Sequence, residues 1–151
     1  MSPPPTRPAV EPVTDDIDTG EFFAAAGRGS LVVCECASCG RSLHLPRRWC
    51  HHCAAGDVRW REVAPSGRVY SFSVVEHQIH PDYPVPYTVL LIALDDPPEV
   101  RLIGRLDGRP DVSIGDPVRA DFAGLDDGAG LPVWHLVDAP GDSLHARDSG
   151  E

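Results

Sequence analysis

The sequence predicts a mainly β protein in which a short N-terminal helix and a four-thiolate metal ribbon precede a small five-stranded barrel. Three observations carry that expectation. Cys36 and Cys39 form one C-x2-C hook and Cys50 and Cys53 a second, a spacing that wraps four sulfurs around one tetrahedral metal. From Gly67 onward apolar residues recur with period two between regularly spaced turn signals, the pattern of a small antiparallel sheet or barrel. Ahead of both, Asp18-Thr19-Gly20-Glu21 offers a helix start before Phe22-Phe23-Ala24-Ala25-Ala26.

Composition bounds the function. The 151 residues carry 13 basic and 23 acidic side chains, for a net charge of −10, which repels phosphate backbones and argues against general nucleic-acid binding. The charge is uneven. Glu11, Asp15, Asp16, Asp18 and Glu21 face Arg7 alone near the amino end, whereas Arg41, Arg47, Arg48, Arg59 and Arg61 face only Glu35 and Asp57 around the cysteines. All the basic residues are arginine, and with abundant Ala, Gly and Pro this suggests a GC-rich bacterial genome. The longest apolar run, Val89 to Leu94, is too short to span a bilayer, and Met1 to Val10 has no hydrophobic signal region. A cytoplasmic chain keeps its thiols reduced, so five cysteines read as a four-thiolate site plus one spare, Cys34.

In chain order, residues 1–17 form a proline-rich, disordered leader. Residues 18–30 form the short helix, with Asp18 or Thr19 as cap, Glu21 placed as in a capping box, and Gly27 or Gly29 as its stop. So few residues are marginal alone, so Phe22 and Phe23 must dock on this chain or on a partner. Residues 31–62 form the ribbon. Leu31-Val32-Val33 feeds the first hook, Gly40 follows it where a turn needs positive φ, and Trp60 to Val63 leaves the second.

Residues 63–138 hold five strands. The first, Arg68 to Ile79, sets Tyr70, Phe72 and Val74 on one face but Val75 and Ile79 on the other, a phase change that predicts a bulge. Pro81 to Pro86 is an exposed loop. Tyr87 to Leu94 is apolar on both faces and therefore central or covered. Val100 to Leu106 alternates, with Val100, Leu102 and Leu106 inward and Arg101 and Arg105 outward; Gly104, on the inward set, marks a bend or a close approach. Pro117 to Phe122 and Leu131 to Val137 flank the Asp126-Asp127-Gly128-Ala129-Gly130 turn. Five strands with a long, coiled first strand predict an OB-fold barrel. Residues 139–151 are a disordered acidic tail.

In this arrangement the chain resembles the family catalogued as domain of unknown function 35. The residues that carry the likeness are Phe22-Phe23 with Gly27 to Leu31, Cys36-x2-Cys39-Gly40, Pro46-x3-Cys50-x2-Cys53, Gly67-Arg68-Val69-Tyr70-Ser71-Phe72, Pro86-Tyr87, and Ile114-Gly115-Asp116-Pro117-Val118. The second hook departs from the commoner Cys-Pro-x-Cys-Gly, with His51-His52 between its cysteines. The resemblance implies a rubredoxin-like zinc ribbon followed by an acyl-CoA-associated OB-fold. It also implies a non-catalytic accessory subunit of thiolase-superfamily enzymes, including lipid-transfer-type thiolases and their aldolase relatives, which stabilises its partner and helps bind or channel acyl-CoA.

Cys36, Cys39, Cys50 and Cys53 are the expected ligands of a structural zinc, because a closed four-sulfur site leaves no open position to activate water; rubredoxin-type iron uses the same hooks. His44, His51 and His52 read as solvated ribbon residues. His77 and His80 with Glu76 and Asp82 collect acid and base groups, but no nucleophile with a positioned base is legible. Arginine binds phosphate with paired donors, so Arg47, Arg48, Arg101 and Arg105 are candidate contacts for the nucleotide end of CoA, with Phe72 and Tyr87 near its thioester. The competing reading is a stand-alone nucleic-acid module, since ribbons and OB-folds both serve that purpose.

Overall fold

The computed structural model describes residues 11–137. The leader and the acidic tail expected at the two ends lie, for residues 1–10 and 138–151, outside the described residues.

Helix α1 spans Gly20–Gly27. No capping box forms. Instead the Asp16 carboxylate accepts the Thr19 amide and hydroxyl, the first helical amide, Gly20, bonds to the Asp16 carbonyl, and Glu21 pairs with Arg28 at 2.6 Å. Gly29, at φ +81°, ends it, and the Ser30 amide reaches back to the Ala25 carbonyl. Phe22 packs on the main core, so the helix docks on its own domain. The approach is backbone to backbone: a Cβ on Gly27 would overlap the Gly128 carbonyl.

Strands β1, Leu31–Cys36, and β2, Val58–Val63, pair antiparallel along their whole length. Every residue of β1 is buried, because it walls two cores at once. Leu31 and Val33 enter the main core, whereas Cys34 and Cys36 join Leu43 and Cys50 in a second core around the hooks. Glu35, also buried, is gripped by Arg59 at 2.7 Å and Arg61 at 2.8 Å. Arg61 extends to Asp96 at 3.6 Å and so ties the ribbon to the following sheet.

That sheet contains β3 (Ser66–Val75), β4 (Tyr87–Leu94), β5 (Arg101–Asp107), β6 (Pro117–Gly124) and β7 (Gly130–Leu136), in the order β5-β4-β3-β6-β7. It is OB-like, but among the described residues no backbone ladder closes the expected barrel. Strands β5 and β7 meet through side chains: a Cβ on Gly104 would lie 2.8 Å from the Trp134 ring and 2.8 Å from Ile92 Cδ1. The close approach expected at Gly104 is thus the indole that plugs the seam.

The first strand is shorter than expected and its irregularity lies earlier. β3 ends at Val75, and the register shift falls between Val69 and Ser71. Tyr70 is the extra residue, so Val69 and Phe72, opposite Ile92 and Leu90, point to the same side although odd and even. The outward set of β5 is as expected. In the connector before β6, Val112 is buried while Ile114 is exposed.

Candidate functional site

Two features concentrate chemistry. The first is the ribbon tip. The four sulfurs of Cys36, Cys39, Cys50 and Cys53 all lie within 4.8 Å of one another, with Cys36 and Cys53 at 3.6 Å and Cys39 and Cys50 at 3.7 Å. Zn–S bonds of about 2.3 Å in a tetrahedron separate sulfurs by about 3.8 Å, so the donor set fits zinc in both chemistry and size. Two matching knuckles build it. The Gly40 amide returns to the Cys36 carbonyl and the Ala54 amide to the Cys50 carbonyl, at 2.8 and 2.9 Å. The residue after each second cysteine is left-handed, Gly40 at φ +72° and Ala54 at φ +60°. The first is free for glycine; the second is strained.

Amides also point at sulfur, Cys39 N–H to Cys36 at 3.5 Å and His52 N–H to Cys50 at 3.3 Å. The Cys39 amide brings the Cys36 thiol down to about 7. At Cys53 the Ala55 amide favours the thiolate, but the Cys36 sulfur, burial and the remaining sulfurs outweigh it and push that thiol up to about 12. A divalent cation resolves this competition by taking all four as thiolates. His52 Nδ1 accepts from Arg41 at 3.0 Å, and no histidine belongs to the cluster among the described residues.

The second feature is a cleft of about 610 Å³ beside the plugged β5–β7 seam, where α1, the ribbon and β5 meet. Phe22 and Phe23 from α1, Val32 to Cys34 from β1, Trp60 from β2 and Leu131-Pro132 from β7 make its largely apolar walls. Of the CoA candidates, Tyr87, Arg101 and Arg105 line it; Arg47, Arg48 and Phe72 lie outside it. The Arg101 guanidinium stacks on Tyr70 with its carbon 3.8 Å from the ring centre. Arg105 lies over Tyr83 and Tyr87 and pairs with Asp107 at 3.1 Å. Cys34 is buried in the wall, and burial pushes its thiol up. The His77–Asp82 group does not assemble a site: Glu76 pairs with Arg109, and His80 sits 3.9 Å from Asp82 on the exposed β3–β4 loop.

Sequence reasoning did not find the cleft. Trp60, Tyr83, His44 to Pro46 and Leu131-Pro132 belong to separate strand, ribbon and loop segments, and no local signal brings them together.

A four-sulfur ribbon on an OB-like sheet, with a cleft where the two meet, defines a zinc-ribbon/OB-fold protein whose four cysteines are placed to hold zinc. Comparison with known proteins sharpens this. Residues 23–59 match the family described as ChsH2, rubredoxin-like zinc ribbon domain, and residues 60–123 the one described as ChsH2, C-terminal OB-fold domain. A solved chain of an Ltp2-ChsH2(DUF35) aldolase is 35% identical, with a TM-score of 0.72 over 86% of this chain and 98% of that one. A probable enoyl-CoA hydratase alpha subunit of Thermomonospora curvata is 37% identical over 130 residues, 85% of this chain and 39% of the relative. The chain therefore spans about two fifths of the curated relative it matches. A DUF35 protein of unknown function from Sulfolobus solfataricus is 18% identical, with a TM-score of 0.49 over 72% of this chain and 79% of that one. The chain belongs to the ChsH2-type DUF35 family.

Proposed function

We propose that this chain is a non-catalytic accessory subunit of a thiolase-superfamily enzyme, of the thiolase, lipid-transfer-type thiolase or aldolase kind, which stabilises that enzyme and helps it bind acyl-CoA. The observation that carries the reading is the seam cleft. It offers apolar walls for an acyl chain or pantetheine arm and arginines at its rim for phosphate, but no nucleophile paired with a base among the described residues. The zinc supplies folding energy rather than chemistry, since a four-sulfur site has no open position. Likeness to a chain of an Ltp2-ChsH2(DUF35) aldolase over 98% of that chain supports the partner class. The hydratase label belongs to a protein of which this chain matches two fifths.

The nucleic-acid reading fares worse on this surface. The net charge of −10 repels a phosphate backbone, and of the exposed aromatics Trp49, Tyr70 and Phe72 the Tyr70 face is covered by Arg101.

The test is co-expression with thiolase-superfamily enzymes from the same source. A stable complex, with acyl-CoA turnover that neither chain shows alone, is expected. Turnover by this chain alone, or a fully active partner without it, contradicts the reading.

A further inference from the structure

Five consecutive residues of β5, Arg101 to Arg105, line the cleft. Successive side chains of a strand point to opposite faces, so a groove that touches all five runs along the strand's edge and sees its backbone. Strand β5 is an end strand, with β4 as its sheet neighbour among the described residues.

The parity of the ladder says which amides face the groove. At one end of the β4/β5 hairpin the Leu94 amide donates to the Val100 carbonyl, and at the other the Gly108 amide donates to the Pro86 carbonyl. Between them Ile92, Leu90 and Thr88 stand opposite Leu102, Gly104 and Leu106. Bonded and non-bonded pairs alternate in an antiparallel ladder. Hence the even-numbered residues of β5 bond to β4, while Arg101, Ile103 and Arg105 turn N–H and C=O outward. His44 stands at the Arg101 carbonyl, and among the described residues no hydrogen bond outside the ladder reaches the Ile103 or Arg105 amides. Ile103 is 68% exposed.

We infer that the outer edge of β5 is a pantetheine-binding strand edge: the two amides of a CoA arm pair with the outward backbone groups of Ile103 and Arg105, and the CoA phosphates lie at Arg101. The inference rests on the acyl-CoA reading and adds the subsite and its mode. With the Arg101 carbonyl taken, the open edge is short and matches a ligand with two amides better than a partner strand, which needs a longer ladder. Arg101 has no carboxylate partner among the described residues, whereas Arg105 is already paired with Asp107, so Arg101 is the guanidinium left for phosphate.

The test is calorimetric titration of the full zinc-loaded chain, and of its complex, with CoA, pantetheine and adenosine 3′,5′-bisphosphate. CoA is expected to bind about tenfold more tightly than the bisphosphate, from two added amide bonds of modest net value. Ile103→Pro deletes an outward N–H without touching the bonds to β4; it should reduce the CoA advantage to about twofold and leave the bisphosphate unchanged. Ile103→Val should keep the advantage. Should the proline variant melt early or lose zinc, a CoA analogue with esters in place of the arm amides gives the same comparison on the unaltered chain. Equal binding of CoA and the bisphosphate overturns the inference. So does Ile103→Pro abolishing complex formation while sparing CoA binding, because the edge then takes a strand of the partner. A complex that forms and turns over substrate without any CoA contact at β5 sinks the inference and leaves the accessory role standing; absence of any complex sinks both.

Discussion

Gly104→Ala tests the seam directly. A Cβ there would meet Trp134 Cδ1 and Ile92 Cδ1, each at 2.8 Å, with Trp134 Cγ at 3.1 Å. Real Cβ contacts need about 3.4 Å or more, so the indole must retreat by several tenths of an ångström or tilt. Trp134 is buried and is the largest side chain of the core, and Ile92 is buried as well, so the added methyl is accommodated only by shifting packed side chains. Overpacking of this kind costs about 1–3 kcal/mol, which for a domain of this size lowers the melting temperature by roughly 4–12 °C. The assay is thermal unfolding of the zinc-loaded protein followed by circular dichroism. A melting temperature within about 1 °C of the parent would mean that the β5–β7 seam is not plugged by Trp134, and the account of the cleft would fall with it.

Further expectations follow from the ribbon. Ala54 adopts φ +60° where the equivalent knuckle has Gly40, so Ala54→Gly should stabilise the zinc-loaded form by about 1 kcal/mol, read as a higher melting temperature; destabilisation would show that the two knuckles are not equivalent. Chelation at neutral pH, or Cys50→Ser, should abolish the cooperative melt of the ribbon, because metal binding energy there is folding energy; an unchanged melt would sink the structural role. Burial raises the Glu35 carboxyl but Arg59 and Arg61 outweigh it and hold it below its ordinary 4.5. A depressed carboxyl contributes stability that is present above its unfolded value and is lost as pH falls through the folded one. Glu35→Gln should therefore cost about 1–3 kcal/mol at pH 7, with the difference shrinking below about pH 4.5. A pH-independent difference would refute the ion-pair account.

The hooks and the strands were legible because their signals are local. C-x2-C twice names a donor set, and the alternation of Val100 to Leu106 names an inward face. Gly104 was legible as a close approach, though its neighbour, Trp134, was not, since nothing in residues 100–106 names a residue of β7. The bulge was legible as a phase change but misplaced: the extra residue is Tyr70, where the β3–β4 register shifts. The capping box failed because the Thr19 hydroxyl turns to Asp16, before the expected start, and Glu21 turns to Arg28. The cleft was illegible for a deeper reason. Phe23, Trp60, Ile103 and Pro132 are far apart in the chain, and they converge because a sheet expected to close as a barrel leaves β5 and β7 unpaired.

Reconstitution of the partner enzyme with Arg101→Glu/Arg105→Glu protein tests the central claim most directly. Both side chains are outward on an end strand, so the complex and its zinc should be retained, while KM for acyl-CoA rises by about tenfold or more from reversed charge at the phosphate contact. An unchanged KM in an intact complex would contradict the assignment of the seam cleft to acyl-CoA.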